Sequence, residues 1–203
     1  MSAKTSISEL DLICNQSHQA KIELRRSKKS KKDDALKYAA EFLILNKAKL
    51  IDANSIDMEL AHQKDLQDSF IDRLELNEKR IESMISGLEK VINLDDPVGQ
   101  ITEPHTSPSG FEVSKMRVPL GVIGIIYESR PNVTADASAL CLKSGNACIL
   151  RGGSEAANSN AVIEDCMQKG LEKASLPKHS IQLIKNQDRK VVQEMIKRQK
   201  DID

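Results

Sequence analysis

The run Val122-Ile123-Gly124-Ile125-Ile126-Tyr127 carries no charge and does not alternate polar with apolar residues. A strand wetted on one face would alternate, so this one is expected to be buried on both faces, as the strands of parallel sheets are. It reads as a central parallel strand, and parallel strands need crossover connections. The downstream sequence supplies them. A helix from about Val133 to Lys143 ends at Gly145, a left-handed cap position, and Ala147 to Leu150 forms a short apolar strand. Gly152-Gly153-Ser154 then leads into a helix whose buried stripe is Val162, Cys166, Met167, Gly170 and Leu171, closed by Ser175-Leu176-Pro177. Ile181 to Ile184 is a third strand, and Asp188 opens a last helix with Val191, Val192, Met195 and Ile196 on one face. The order β-α-β-α-β-α predicts right-handed crossovers and ligands at the carboxyl ends of the strands. The sequence stops at Asp201-Ile202-Asp203, where a next strand is due, so the expected fold class is an incomplete α/β unit.

Residues 1–99 carry helical period and almost no strand signal. Ile81, Met84, Ile85, Leu88 and Ile92 form one apolar stripe, with Asn77 as its N-cap and Asp96-Pro97-Val98-Gly99 as its stop. Leu36, Ala39, Ala40, Leu43, Ala48 and Ile51 predict a second amphipathic helix over Asp34 to Ile51. Residues 100–118, around Pro104, Pro108, Ser109 and Gly110, read as a hairpin excursion. The expected organisation is a helical lead-in (1–99), the excursion (100–118) and the first part of an α/β domain (119–203).

Composition removes several function classes. With 39% hydrophobic residues the chain can bury a core, and 30 Lys and Arg against 30 Asp and Glu leave no net field to attract nucleic acid. The one basic cluster, Arg25-Arg26-Ser27-Lys28-Lys29-Ser30-Lys31-Lys32, has the composition of a nuclear address or a phosphate-backbone patch. Asp33-Asp34 follow it at once and no aromatic interleaves it, so a solvated connection or exposed helix face is favoured and nucleic acid is not an expected partner. The longest apolar stretch, Val118 to Tyr127, is far shorter than the ~20 residues that span a bilayer, so no membrane span is expected. Glu9 and Asp11 interrupt the amino-terminal stretch where an export signal would be apolar, which predicts a cytoplasmic protein. Cys14, Cys141, Cys148 and Cys166 show no Cys-x-x-Cys spacing and read as free thiols in core packing, while His18, His62, His105 and His179 stand singly, without metal-ligand spacing.

Two loops fall at the carboxyl ends of predicted strands. In Glu128-Ser129-Arg130-Pro131-Asn132-Val133-Thr134, Pro131 stiffens the exit from the sheet and presents Asn132 near a helix start. Its amide has two readings: a hydrogen-bond donor to a developing oxyanion, or the N-cap of the helix. In Arg151-Gly152-Gly153-Ser154-Glu155, two glycines, a helix amino terminus and a cation suit a phosphate or ribose; the same features also make an ordinary turn with a Ser N-cap and a dipole-favoured Glu. No G-x-G-x-x-G fingerprint is present.

The segment Arg117-Val118-Pro119-Leu120-Gly121-Val122-Ile123-Gly124-Ile125-Ile126-Tyr127-Glu128-Ser129-Arg130-Pro131-Asn132-Val133-Thr134 closely resembles the γ-glutamyl phosphate reductases, the glutamate-5-semialdehyde dehydrogenases of proline biosynthesis. The resemblance continues through Cys141-Leu142-Lys143-Ser144-Gly145-Asn146-Ala147 and Ile149 to Glu155, takes in Asp72-Arg73-Leu74 and Asp96 to Gly99, and is weakest before residue 35. It implies the Rossmann-like parallel sheet of the aldehyde dehydrogenase superfamily and NADPH-dependent reduction of L-glutamyl 5-phosphate through a cysteine thioester. By the same resemblance, Asn132 steadies the oxyanion, and Arg151, Gly152, Gly153, Ser154 and Glu155 form the segment contacting the adenosine side of the cofactor, with Arg151 suited to a 2′-phosphate. The excursion resembles the part of the superfamily that pairs subunits, implying a homo-oligomer. The family's nucleophilic cysteine and the Gly-rich loop after the following strand correspond to sequence beyond Asp203, and none of the four cysteines matches that motif. The expected partner is therefore a missing carboxyl-terminal half; a non-catalytic assembly module of the same fold is the alternative.

Overall fold

The computed structural model describes residues 2–203, with side chains from residue 9 onward; of the stretch read for an export signal, Met1 lies outside the described residues. Five helices lead: α1 (Ser2–Arg25), α2 (Lys29–Leu45), α3 (Lys47–Gln63), α4 (Asp68–Leu74) and α5 (Glu78–Ile92). Strands β1 (His105–Thr106) and β2 (Glu112–Val113) pair antiparallel in the excursion. Then β3 (Val122–Ile126), α6 (Asn132–Lys143), β4 (Ala147–Arg151), α7 (Ala157–Lys173), β5 (Ile181–Leu183) and α8 (Arg189–Ile196) follow the alternation read from the sequence. Beyond Lys143, Gly145 takes the left-handed conformation with φ +76°, as its cap position requires.

Strands β3, β4 and β5 form one parallel sheet in that order. Alternate β4 side chains serve two cores. Ala147 and Ile149 pack with Leu10, Ile13, Val191 and Met195 of α1 and α8. Cys148 and Leu150 belong to the larger core on the other face, which continues through α6 and α7 to Leu36, Leu43, Ile81 and Leu88 of the lead-in helices. Helices therefore cover both faces of the sheet. At the crossing of α2 and α7 the backbones nearly touch: a Cβ on Gly170 would lie 2.5 Å from the Ala35 carbonyl oxygen.

Three expectations change. The Val122 run occupies an outer strand among the described residues, and β4 is the central one, buried along its whole length. Hydrophobicity reports how much of a strand is covered but not which strands flank it; on the outer side of β3 the contact is with Asp203, whose backbone N–H donates to the Val122 carbonyl at 2.9 Å. The single helix expected over Asp34 to Ile51 is two helices broken at Asn46. There the Asn46 side-chain amide and backbone N–H both donate to the Phe42 carbonyl, and side-chain competition of this kind interrupts a helix. In the basic cluster, Arg25, Arg26, Lys28, Lys29 and Lys31 are exposed as expected, but Lys32 is only 1% exposed. Its ammonium lies 2.7 Å from Asp96 Oδ2 and donates to the Lys143 carbonyl at 2.9 Å, because α2 turns that side chain under the end of α6.

Candidate functional site

Parallel pairing sets the site's frame. Ile126 pairs with Arg151, and the Tyr127 N–H donates to the Arg151 carbonyl at 3.1 Å, so β3 and β4 end together and their exit loops share one rim of the sheet. Ser129 Oγ in the first loop donates to Glu155 Oε2 in the second at 2.8 Å. Beneath them, the Thr134 hydroxyl donates to Asn160 Oδ1 at 2.8 Å. Its single hydrogen is then spent, so the Tyr127 phenol, 2.7 Å away, is the donor to Thr134. Burial pushes the Tyr127 phenol up to about 12, which keeps that proton in place.

Asn132 is the first residue of α6, and Pro131 occupies the cap position without a side-chain cap bond. The N-cap reading of Asn132 therefore gives way. Its Nδ2 donates to Asp136 Oδ2 at 3.0 Å one turn along the helix, leaving its second amide hydrogen uncommitted among the described residues. Asn132 and Asp136 line a cavity of about 330 Å³ whose other walls are Arg73 of α4, Arg80, Ser83 and Met84 of α5, and Arg130. The sequence reading missed this wall; Asp72-Arg73-Leu74 was its one legible trace. A larger cavity, about 490 Å³, lies at the opposite rim beside Gly121 and Gly145, away from both loops.

The second loop is placed differently from the simple phosphate-cradle picture. Arg151 is 6% exposed; its guanidinium donates to the carbonyls of Gly152 and, at 3.1 Å, Gln187, and its buried Nε has no partner among the described residues. The cation thus closes its own loop. The glycines answer to neighbours within the chain: a Cβ on Gly152 would lie 2.4 Å from Asn160 Nδ2, and one on Gly153 only 1.9 Å from Ser129 Oγ. Ser154 opens a short 3₁₀ turn, Ser154–Ala156, and makes no cap bond, so the Ser N-cap reading also falls. Instead its hydroxyl donates to Glu155 Oε1 at 2.8 Å. Burial works against the Glu155 charge, but the Ser154 and Ser129 hydroxyls outweigh it and hold the carboxyl below its ordinary value. An ionised acceptor with lone pairs to spare, beside an exposed serine, fits the hydroxyls of a ribose, while the Arg151 guanidinium is engaged by the Gly152 and Gln187 carbonyls.

The thiols are remote from this rim's chemistry. All four are buried. Burial pushes Cys166 up to about 11 and raises Cys14, while a hydrogen bond with Cys141 and full burial hold Cys148 well above its ordinary value. The same bond holds Cys141 below its ordinary value, so its protection rests on burial alone; iodoacetamide at neutral pH is expected to leave the native chain unlabelled over a period in which the urea-unfolded chain is fully alkylated, as read by intact mass. One rapidly labelled native thiol would contradict this.

Residues 2–203 match the model of the aldehyde dehydrogenase family. The chain belongs to that family. Among the relatives of this aldehyde dehydrogenase family chain, the γ-glutamyl phosphate reductase of Clostridium beijerinckii is 47% identical over 197 residues, covering 97% of this chain and 48% of the relative. That of a Thermoanaerobacter species is 50% identical over 182 residues, covering 88% and 44%. The crystal structure of the Thermotoga maritima γ-glutamyl phosphate reductase matches with a TM-score of 0.91 at 41% identity, covering 96% of this chain and 47% of that one. The Saccharomyces cerevisiae enzyme matches at 0.84 and 30% identity, covering 95% and 49%. The chain spans about half the length of the curated relatives it matches, their amino-terminal part. Membership in the family implies a nicotinamide cofactor.

Proposed function

We propose that this chain supplies the amino-terminal part of a cytoplasmic, NADPH-dependent reductase that converts L-glutamyl 5-phosphate to L-glutamate 5-semialdehyde and phosphate. The observation that carries the reading is Asn132: released from capping, bordering a cavity, and on the same rim as the Ser154-Glu155 turn. A thiolate from the carboxyl-terminal half attacks the acyl carbon, phosphate leaves, and the carbonyl oxygen gains negative charge in transit; the free Asn132 N–H donates to that oxygen. NADPH, when bound, supplies the hydride that reduces the thioester, after which the thiolate departs and the aldehyde remains. Ser154 and Glu155 hold the adenosine ribose, and Arg151 keeps the Gly152-Gly153 turn in shape, reaching a 2′-phosphate only by giving up Gln187. The segments 1–99, 100–118 and 119–203 act as lead-in, subunit-pairing arm and first part of the cofactor domain. The arm supports that role with Ile101, Phe111 and Met116 exposed, Phe111 at 72%.

The test mixes the purified chain with the carboxyl-terminal half and follows NADPH oxidation with the acyl phosphate. Turnover is expected, and Asn132→Ala should lower kcat about 10²–10³-fold with little change in KM, the usual effect of losing one oxyanion donor. A reconstituted pair with neither NADPH binding nor turnover refutes the reading.

A further inference from the structure

The cavity beside Asn132 holds more charge than an oxyanion donor needs. Arg80 is consumed by its neighbours: it lies 2.7 Å from Asp72 Oδ1 and 3.6 Å from Glu75 Oε2, and donates to the carbonyls of both residues. Those three charges form a closed wall. Arg73 leans toward Glu128 at 3.6 Å, with both side chains largely in water. Two groups remain without an opposite charge among the described residues, Arg130 at the exposed mouth and Asp136 at the half-buried end. Asp136 has a fixed seat. Its Oδ2 accepts from Asn132, and its Oδ1 lies where a Cβ on Gly87 of α5 would come within 3.3 Å. Only the amide is engaged, and a carboxylate offers about four lone-pair directions.

A simple anion does not suit this cavity, because it would sit against the Asp136 carboxylate; a simple cation would face Arg130 and Arg73. A zwitterion meets both ends. We propose that this cavity is the subsite for the α-amino acid head of the acyl substrate, with Asp136 accepting the α-ammonium and Arg130, assisted by Arg73, taking the α-carboxylate. The inference rests on the reading of Asn132 as the donor at the reacting carbonyl. Asp136 lies one helical turn further along α6, and its Oδ2 is 3.0 Å from Asn132 Nδ2, so one glutamyl group can reach the amide with its side-chain carbonyl and the carboxylate with its α-ammonium. The carboxylate therefore does two things at once: it orients the Asn132 amide and anchors the far end of the molecule being reduced. The apolar lining, Leu76 and Met84, suits the methylenes between. Burial pushes the Asp136 carboxyl up, with the Asn132 amide offsetting part of that, so an arriving ammonium relieves a carboxylate that holds its charge at a cost.

The test titrates the 203-residue chain with L-glutamate, glutarate, which lacks the ammonium, and 4-aminobutyrate, which lacks the α-carboxylate. The readout is the nuclear magnetic resonance of the Asn132 side-chain amide. L-glutamate is expected to move that signal and to bind about tenfold or more tightly than either analogue, the scale of one charge-assisted hydrogen bond. Asp136→Asn keeps an acceptor for Asn132 and should abolish the preference over glutarate. Arg130→Gln, at an exposed position that the fold does not need, should abolish the preference over 4-aminobutyrate. Equal binding of the three probes, an unmoved Asn132 signal, or unchanged preferences in both variants would overturn the subsite. If the preferences appear and the reconstituted pair still fails to turn over, the reductase reading falls and the subsite stands; turnover without preferences has the reverse meaning.

Discussion

Replacing Lys143 with methionine, which keeps the aliphatic stem and removes the ammonium, is expected to lower the unfolding free energy by about 3 kcal/mol, on the order of 10 °C in Tm. Lys143 Nζ lies 2.6 Å from Asp33 Oδ1 and donates to the Ile92 carbonyl at 2.7 Å, so one ammonium ties the end of α6 to α2 and to the end of α5. Lys32 makes the reciprocal tie, donating to the Lys143 carbonyl while paired with Asp96. Breaking a buried pair from one side typically costs about 3–5 kcal/mol, and Asp33 and Asp96, each with a 17% exposed side chain, keep enough water to place the loss at the lower end. Urea unfolding with an unchanged slope checks it; a loss under about 1 kcal/mol would make this a mere surface pair. Acid adds a second signature. Burial alone would raise the Asp33 carboxyl, but the hydrogen bonds from Lys143 and Lys29 outweigh it and hold it below its ordinary value. A depressed folded value gives stability that is present above the unfolded carboxyl range, about pH 4, and is lost as pH falls through the folded value. The methionine variant should therefore lose stability less steeply with acid in that window.

Asp57→Ala is expected to cost at least as much, about 3–5 kcal/mol, for a different reason. Asp57, 1% exposed on α3, accepts from the backbone N–H groups of Asn158 at 3.2 Å and Ser159 at 2.8 Å, and from the Asn158 amide at 2.8 Å and the Ser159 hydroxyl at 2.7 Å. It caps α7 from another helix, placing a negative charge against the positive end of the dipole. Alanine would leave the backbone N–H and hydroxyl of buried Ser159 without their acceptor, and would take the same acceptor from the more exposed Asn158. Asp57→Asn keeps one acceptor oxygen and no charge, so an intermediate loss is expected, with faster hydrogen exchange at Asn158 and Ser159 in both variants. An alanine variant within about 1 kcal/mol of the parent would show that water can take over the cap.

Much of this was legible in the chain. The Ile81 stripe, the Asn77 cap, the Gly145 turn and the existence of three parallel strands follow from local patterns and are seen, although the Val122 strand is outer and not central. What stayed hidden depends on distant partners. Asp57 looks like any helix-surface acid until α7, a hundred residues on, is laid against α3. Lys32 sits inside a run of cations that reads as solvated, and its burial depends on Asp96 and the Lys143 carbonyl being brought to it. At the site, the sequence identified both rim loops but not the α4 and α5 wall, because nothing local says which helices will face Asn132. Nor could it tell that Pro131 would hold the cap position and free the asparagine.

The missing side chain at Gly153 has a consequence for redesign. Ser129 occupies the space a methyl would need, and Ser129 leads through Arg130 and Pro131 directly to Asn132. The two rim loops are thus keyed together, so a bulkier residue at position 153 would push the Ser129 loop, and Asn132 with it, out of alignment.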